Sequence, residues 1–430
     1  MGSLVTFAQL RDAKPQLWIP AADDLRKAGS QCTRVEEDIH RNGVQPLDEH
    51  WPDHVGQLAV SALKKVATAA ETVSIMAGAA AEPVDALAHA ITIAQSELQS
   101  GVRLAEANGL TVDATTGSVE LPQHLGQDNP ITLLLLLQQA QQMIDDAIEA
   151  ATQANDICAE QLKTASGMTA DHSTTPEQAQ EAQKTIVQKS LEEIRDTLPD
   201  GLTAAQVAAW WNGLTAKDRF DLERACPTEL MSLNGIPDDV KKAIDRPELG
   251  YSSAGTVAYA KSNWDNRDLD WNGKDNCTNF VSTSLRYGGG METKDVDGWP
   301  RDHSNADAWT DGGLGGSPAG RPELQTYSAS WGGAQNNHDF FKNHGTTVTN
   351  PGEVRPGDLL YWTSAHDSAD VHAGETHHAA IVTAVLPDGQ VLYSQHTSPG
   401  RDLSLGGRLE GFEKAFGKQT IEIIRPKADW

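Results

Sequence analysis

Cysteine and basic charge are both scarce in this sequence. Its 430 residues contain four cysteines with no CxxC pair, which excludes a zinc ribbon and a small disulfide-stapled domain but leaves room for a single reactive thiol. Lysine and arginine number 34 against 60 acidic residues, so the formal net charge is −26. A surface of this sign repels phosphate backbones. We therefore expect no nucleic-acid partner.

Long apolar runs are missing as well. The longest covers 131–137, far below the about 18 residues that cross a bilayer as a helix, so we expect no membrane span. The first residues, MGSLVTF, lack a basic segment followed by an apolar one, and we expect no cleavable signal peptide. If the protein acts outside the cell, it must then leave by a leaderless route or with a partner.

The composition changes near residue 250. Residues 251–430 hold 23 of the 37 glycines, 7 of the 11 tryptophans and 8 of the 14 histidines, whereas the earlier part is rich in Ala, Leu, Gln and Glu. This contrast predicts a multidomain chain with an all-α N-terminal half. We divide it into a helical domain with a small hairpin (1–165), a linker with short helices (166–250) and a C-terminal domain (251–430).

Helical periodicity dominates the N-terminal half. Apolar side chains recur at intervals of three and four residues, as at Val55, Leu58, Ala62, Val66, Ala69 and Val73. The pattern predicts helices over 20–45, 54–107 and 130–165, a β-hairpin over 109–121, a linker over 166–175 and three short helices over 203–246. We find no nucleophile–base set among them, and a self-packing bundle is the expected use of these helices.

The candidate nucleophile is Cys277. Phe280, Val281, Ser284 and Leu285 share one helical face, and Asp275 or Asn276 can cap the start of that helix. Cys277 then lies in the first turn, where the positive end of the helix favours the thiolate.

The candidate base lies on a predicted hairpin. Residues 377–386 and 391–397 are strand-like segments that flank an Asp388-Gly389 turn. Folding about that turn sets His396 opposite Ala380, on the face that also carries His378. His377 is the competing base. Gln395 competes with His396 as the third residue, although the same parity puts it on the opposite face.

The strings DNCTNFVS, HAAIVT and SQHT together resemble the amidase domain of the papain-like NlpC/P60 and CHAP superfamily, over about 251–426. This resemblance implies an α+β papain-like fold with an antiparallel sheet, and cleavage of amide bonds, commonly in peptidoglycan, without a cofactor or metal. Matched by position, Cys277 is the nucleophile, His378 the base and His396 the orienting residue. Asp275, Asn276, Gln395 and Trp271 are candidate supporting or substrate-binding residues.

Residues 1–246 resemble the WXG-type helical region and following segment of actinobacterial type VII-like secreted proteins. Trp51 is followed by Gly56 rather than by a strict Trp-x-Gly turn. The resemblance implies a secreted, cell-wall-directed hydrolase or toxin. Its helical half would bind a secretion partner or an immunity protein, and its substrate would be peptidoglycan or a peptide.

Three alternatives stay open at this stage. The segment 366–378 holds four histidines and several carboxylates, which are zinc-ligand types, although their spacing favours a solvated insertion. The fold could also serve a catalytically silent binding module. Finally, the same site could belong to a cytoplasmic papain-like peptidase or transamidase acting on protein.

Overall fold

The computed structural model describes residues 4–122, 130–170, 173–269, 276–295, 305–311, 327–367, 371–407, 409, 413 and 417–430. The chain divides into two compact units, Met1–Arg219 and Phe220–Trp430. The first is helical apart from one two-stranded hairpin, and the second combines helices with an antiparallel sheet. The expected multidomain architecture, with an all-α half and an α+β half, is confirmed. None of the described helices is long and apolar enough to cross a membrane.

The first unit contains a short hairpin and seven helices within its described range. The helices are α1 (Phe7–Asp12), α2 (Ile19–Ile39), α3 (Gln45–His50), α4 (His54–Ala107), α5 (Pro130–Ala170), α6 (Pro176–Asp196) and α7 (Ala204–Gly213), and a π-helical turn (His40–Val44) joins α2 to α3. The hairpin strands are β1 (Thr111–Val112) and β2 (Val119–Glu120). Helix α5 runs to residue 170, so the linker expected over 166–175 is shorter than predicted.

Helix α4 is the central element of the first unit. Helices α2, α5 and α6 all pack on it, and its small residues allow close approach, as at Ala79 and Ala81, which are fully buried. The apolar stripe recognised in the sequence lies partly outside this core, since Val55, Leu58 and Val66 are exposed. Packing neighbours that are distant in sequence, rather than periodicity alone, decide which face of so long a helix is buried.

The second unit is built on a six-stranded antiparallel sheet with the order β3-β8-β4-β5-β6-β7. Its strands are β3 (Gly345–Thr347), β4 (Leu359–Ser364), β5 (Thr376–Val385), β6 (Val391–Gln395), β7 (Gly400–Ser404) and β8 (Gln419–Pro426). Its helices are α9 (Pro227–Ser232), α10 (Asp238–Asp245), α11 (Ser253–Asn263), α12 (Cys277–Thr283), α13 (Ala329–Gly332) and α14 (Ala334–Asn343), with α8 (Ala216–Ala225) at the boundary.

Alternation along the strands creates two apolar clusters, one on each side of the sheet. One joins Tyr361, Ala379 and Ile381 to side chains of the helices, including Phe280 and Trp331. The other contains Leu360, Trp362, Ala380, Val382, Tyr393 and Leu403. Helices α12 and α14 therefore pack directly on β5, which brings the start of α12 beside the strand that carries His378.

Candidate active site

Cys277 is the first residue of α12 and is buried. The preceding residue, Asn276, has a non-helical backbone and begins the helix. Its side-chain amide bonds His396 and Asn279. Among the described residues it makes no capping hydrogen bond to the backbone of the helix. Cys277 therefore lies in the first turn of a helix, where the positive end of the helix favours negative charge.

His378 lies on β5 and hydrogen-bonds the thiol of Cys277. Burial alone would raise the pKa of this thiol. The hydrogen bond and the charge of His378 outweigh burial, and the side chain of Thr278 and the backbone of Ala379 add to them, so that the pKa falls to about 7. A substantial fraction of the thiol is consequently ionised near neutral pH.

The third residue of this arrangement is Gln395. Its side-chain oxygen Oε1 lies 2.8 Å from Nε2 of His378, and the glutamine is nearly buried. The other end of the amide, Nε2, donates to the carbonyl oxygen of Ser398 at 2.7 Å. Because a carbonyl only accepts, the orientation of the amide is fixed and Oε1 faces the imidazole.

These contacts also decide which nitrogen of His378 carries the proton. An amide oxygen accepts, so Nε2 of His378 must be the donor to Gln395. In the neutral ring Nδ1 then carries the lone pair and can accept the thiol proton. Cys277, His378 and Gln395 are thus arranged as a thiol, an imidazole and a side chain that holds the imidazole, which is the geometry that a cysteine hydrolase requires.

The structure does not place His396 against His378, as the sequence predicted, and a β-bulge is the reason. Near the turn the expected register holds, with Val385 opposite Val391 and Ala384 opposite Leu392. Thr383 is an extra residue on β5, and beyond it Ile381 pairs with Ser394. The shift by one residue exchanges the faces of β6, so Gln395 takes the place expected for His396.

His396 is directed at another part of the site. Its Nδ1 lies 3.2 Å from the side-chain nitrogen of Asn276, and its Nε2 lies 2.9 Å from the carbonyl oxygen of Asn266. Its ring also contacts Phe280, with centroids 5.9 Å apart. Among the other candidate residues, Asp275 and Trp271 fall outside the described residues.

Trp362 of β4 is a neighbour of His378, because the two residues pair across β4 and β5. The centroid of its ring is 4.9 Å from that of His378, and it is almost fully buried. It therefore packs against one side of the imidazole. Trp309 and Trp331 are also buried, in the apolar core.

His377 points elsewhere, with its Nε2 2.7 Å from the side-chain oxygen of Gln419. In the same segment His372 is exposed and lies 3.5 Å from Asp367. Within the described ranges, no three histidine, cysteine or carboxylate side chains are grouped as metal ligands. The zinc alternative thus finds no donor set among those residues.

The residues of this site lie within a segment that matches one protein-family model. A family model described as "Putative amidase domain" matches residues 250–415, a segment that contains Cys277, His378, Gln395 and His396. Comparisons with curated proteins and with solved structures find no match. The family match supports an amidase domain in the C-terminal unit, and with it a hydrolase that cleaves amide bonds.

Proposed function

We propose that the chain is a cysteine-dependent amidase in which Cys277 is the nucleophile, His378 the general base and Gln395 the residue that orients the base. The observation that carries this proposal is the hydrogen-bonded series from the thiol through His378 to Gln395. The lowered pKa of Cys277 supports the assignment, since burial without His378 would have the opposite effect.

The chemistry follows from the protonation states. His378 Nδ1 takes the proton of the Cys277 thiol, and the thiolate attacks the carbonyl carbon of the scissile amide. The resulting imidazolium returns that proton to the leaving amine as the C–N bond breaks, leaving a thioester on Cys277. His378 then deprotonates a water molecule, which attacks the thioester carbonyl. As the C–S bond breaks and the acid is released, the imidazolium returns the proton to the sulfur of Cys277.

Gln395 contributes by holding the ring of His378 in one tautomer. Its oxygen bonds Nε2–H, which leaves Nδ1 directed at the sulfur, and stabilises the imidazolium that forms after proton transfer. Trp362 limits the rotation of the ring from one side. Both contacts act on the base rather than on the nucleophile.

The substrate class that we propose is the peptide part of peptidoglycan, because the motifs around Cys277, His378 and His396 resemble those of NlpC/P60 and CHAP amidases. The test is incubation of the full chain with purified peptidoglycan and, separately, with a denatured protein, followed by mass spectrometry of the products. Cys277→Ala is the matched control. New amino and carboxyl ends in the peptidoglycan sample that are missing with Cys277→Ala support the proposal.

Cleavage of the protein sample alone would instead favour a peptidase that acts on proteins. No cleavage of either sample, by a chain that still alkylates at Cys277, would favour a silent binding module. Equal cleavage by the alanine variant would refute cysteine catalysis.

We further propose that the helical unit serves delivery, with a helical secretion partner or an immunity protein as its ligand and the cell wall as the destination. Two features support this. Trp51 and Gly56 lie at the turn between α3 and α4, the place that a WXG-type turn would occupy. Val55, Leu58 and Val66 leave an apolar stripe of α4 exposed. The delivery role is tested by comparing the export of the full chain with that of a variant that carries both Leu58→Asp and Val66→Asp.

A further inference from the structure

We infer that His396 is a positioning residue for the nucleophile: it holds the start of α12, through Asn276, so that Cys277 faces the base. This inference rests on the proposed role of Cys277. It differs from the role that the sequence suggests for His396, which was to orient His378. The argument depends on a series of hydrogen bonds whose direction is fixed at both ends.

The series begins at Trp331. Its indole nitrogen Nε1 lies 2.9 Å from Oδ1 of Asn279, and an indole N–H can only donate. Asn279 therefore presents its amide nitrogen on the other side, where Nδ2 donates to Oδ1 of Asn276 at 2.9 Å. The same nitrogen also donates to the carbonyl oxygen of Leu269 at 3.2 Å.

The same donor–acceptor assignment extends to the hydrogen bond between Asn276 and His396. With its oxygen accepting from Asn279, Asn276 has its nitrogen Nδ2 toward His396 Nδ1, at 3.2 Å. Nδ1 must then be the acceptor. At the other edge of the ring, Nε2 donates to the carbonyl oxygen of Asn266, which can only accept, at 2.9 Å. His396 is thus a neutral ring protonated at Nε2.

This network is buried where it meets the helix. Asn276, Asn279 and His396 are each at most 3% exposed, so water offers little substitute for a lost partner. Asn276 is tied a second time to the end of β6, because its backbone N–H donates to the hydroxyl of Thr397 at 2.8 Å. Three successive residues at the end of β6 therefore contact different parts of the site. Gln395 bonds the base, whereas His396 and Thr397 bond Asn276, the residue before the nucleophile.

The consequence is a rigid link between the two halves of the site. If Asn276 moved, the first turn of α12 and the sulfur of Cys277 would move relative to His378, which lies on β5 and bonds the side chain of Gln395. A displacement of about 1 Å in a reacting group can lower a rate by about 100-fold. His396 is thus expected to affect the reactivity of the thiol without touching either the thiol or the substrate.

The test compares His396→Phe with His396→Asn in the full chain. Phenylalanine keeps an aromatic ring against Phe280 but has no acceptor for Asn276, whereas the Oδ1 of asparagine can take the place of Nδ1. The measurement is the rate of alkylation of Cys277 by iodoacetamide from about pH 5 to 9, followed by peptide mass spectrometry, which spans the range in which a thiol of lowered pKa titrates. Thermal unfolding is recorded for each variant.

We expect His396→Phe to slow alkylation near neutral pH by about 10-fold or more and to displace the pH profile upward, with the protein still folded at the temperature of the assay. His396→Asn should stay within about threefold of the original rate, because the bond to Asn276 is kept. Identical profiles for His396→Phe and the original chain would overturn the inference, and so would equal slowing by both variants.

If His396→Phe does not fold, His396→Gln decides the matter. Its side-chain amide can keep the bond to the carbonyl oxygen of Asn266 but leaves no acceptor at the position of Nδ1, and an unchanged alkylation profile in this variant would likewise overturn the inference. Alkylation requires no substrate, so these results are independent of whether Cys277 carries out hydrolysis. That separate point is decided by the activity of Cys277→Ala.

Discussion

The side-chain oxygen of Gln395 lies 2.8 Å from Nε2 of His378, while His396, the next residue along the chain, bonds Asn276 and Asn266 instead. Successive residues of an extended strand point to opposite faces. One strand end can therefore serve both halves of the site, the base with one residue and the start of the nucleophile's helix with the next.

The two adjacent histidines provide a matched test of the base. His378→Ala should reduce kcat by about 100- to 10,000-fold, the usual contribution of a positioned general base. His377→Ala should leave kcat within about twofold, because its ring bonds Gln419 rather than the thiol. Steady-state hydrolysis of the same amide substrate by both variants checks this. A larger loss of kcat in His377→Ala than in His378→Ala would show that the base has been assigned to the wrong histidine.

Gln395→Ala should lower kcat and change KM little. The substitution frees the ring of His378 to adopt the other tautomer but leaves the thiol in place. Gln395→Glu keeps an acceptor toward Nε2 and should retain more activity than the alanine variant. Kinetics of the pair, with thermal unfolding as a control for folding, measure the effect. Equal activity of Gln395→Ala and the original chain would contradict the role given to this residue.

Thiol labelling should separate Cys277 from Cys158. His378 brings the pKa of Cys277 to about 7, whereas burial, with the nearby Glu193, raises the pKa of Cys158 to about 12. Iodoacetamide at neutral pH should therefore label Cys277 first, because only the thiolate reacts. Peptide mass spectrometry over a time course gives both rates. Labelling of Cys158 ahead of Cys277 would contradict the ionisation state assigned to the site.

The sequence predicted the elements of this site but named Gln395 only as the competing candidate for its third residue. The capping pattern before Cys277 and the Asp388-Gly389 turn are local signals, and they located α12 and the hairpin correctly. At the bulge, the Thr383 hydroxyl donates to Asp402 of β7 at 2.7 Å, which is a contact with a distant part of the sequence. No periodicity within the hairpin encodes a partner 19 residues away, so the face of Gln395 could be read only from the folded sheet.

The exposure of the α4 stripe has the same kind of cause. Val55 and Val66 follow the helical period that marks a buried face, yet both are exposed. Periodicity shows that a helix is amphipathic but does not say which neighbour covers it. The helices that pack on α4, namely α2, α5 and α6, come from other parts of the sequence, and the period of α4 does not identify them.

Two buried acids in the helical unit predict that it is more stable in acid. Burial raises the pKa of Glu97 to about 8 and that of Glu193 to about 9, with smaller contributions from Asp146 and Asp196 respectively. Both groups are neutral when folded near pH 7 but ionised when unfolded. Their stabilising effect is therefore complete below the unfolded value near 4.5 and is lost as the pH rises through 8 to 9.

Replacement by glutamine should remove this dependence. Within the described residues neither carboxylate oxygen of Glu193 has a hydrogen-bond partner, so the neutral amide avoids the cost of ionisation. We expect Glu193→Gln to raise the free energy of unfolding at about pH 9 by about 1–3 kcal/mol, with little effect at about pH 5. Thermal unfolding at the two pH values, followed by helical ellipticity, measures the difference. A larger gain in acid than in base would contradict it.

Two glycines of α4 should respond in opposite ways to alanine. A Cβ on Gly56 would lie 1.7 Å from the carbonyl oxygen of Trp51, whereas a Cβ on Gly78 would meet nothing within 4 Å. We expect Gly56→Ala to destabilise the turn between α3 and α4 by about 1–3 kcal/mol through overpacking. Gly78→Ala should stabilise the helix by up to about 1 kcal/mol, because alanine is the better helix former. Chemical denaturation of both variants compares them, and equal effects would contradict this reading of the turn.

Arg246, near the start of the C-terminal unit, is expected to affect the stability of that unit when it is expressed alone. Arg246 precedes the family match, yet its Nη1 bonds the fully buried Asp358 at 3.1 Å and its Nε bonds the hydroxyl of Ser253. Arg425 holds the same carboxylate from β8, at 2.8 and 2.9 Å. A buried carboxylate that loses one of two guanidinium partners keeps part of its charge uncompensated.

A fragment of residues 216–430, which retains Arg246, should therefore hydrolyse substrate at a rate within about twofold of the full chain, since Cys277, His378 and Gln395 all lie inside it. A fragment of 251–430 should be less stable than 216–430 by about 1–3 kcal/mol or more, because Asp358 loses its bond to Arg246. Arg246→Met in the longer fragment separates this residue from the rest of the deleted segment, and chemical denaturation gives all three stabilities. If Arg246→Met is as stable as the unchanged fragment, Arg425 alone compensates the charge of Asp358, and the loss in 251–430 must come from the deleted helices α8 to α10.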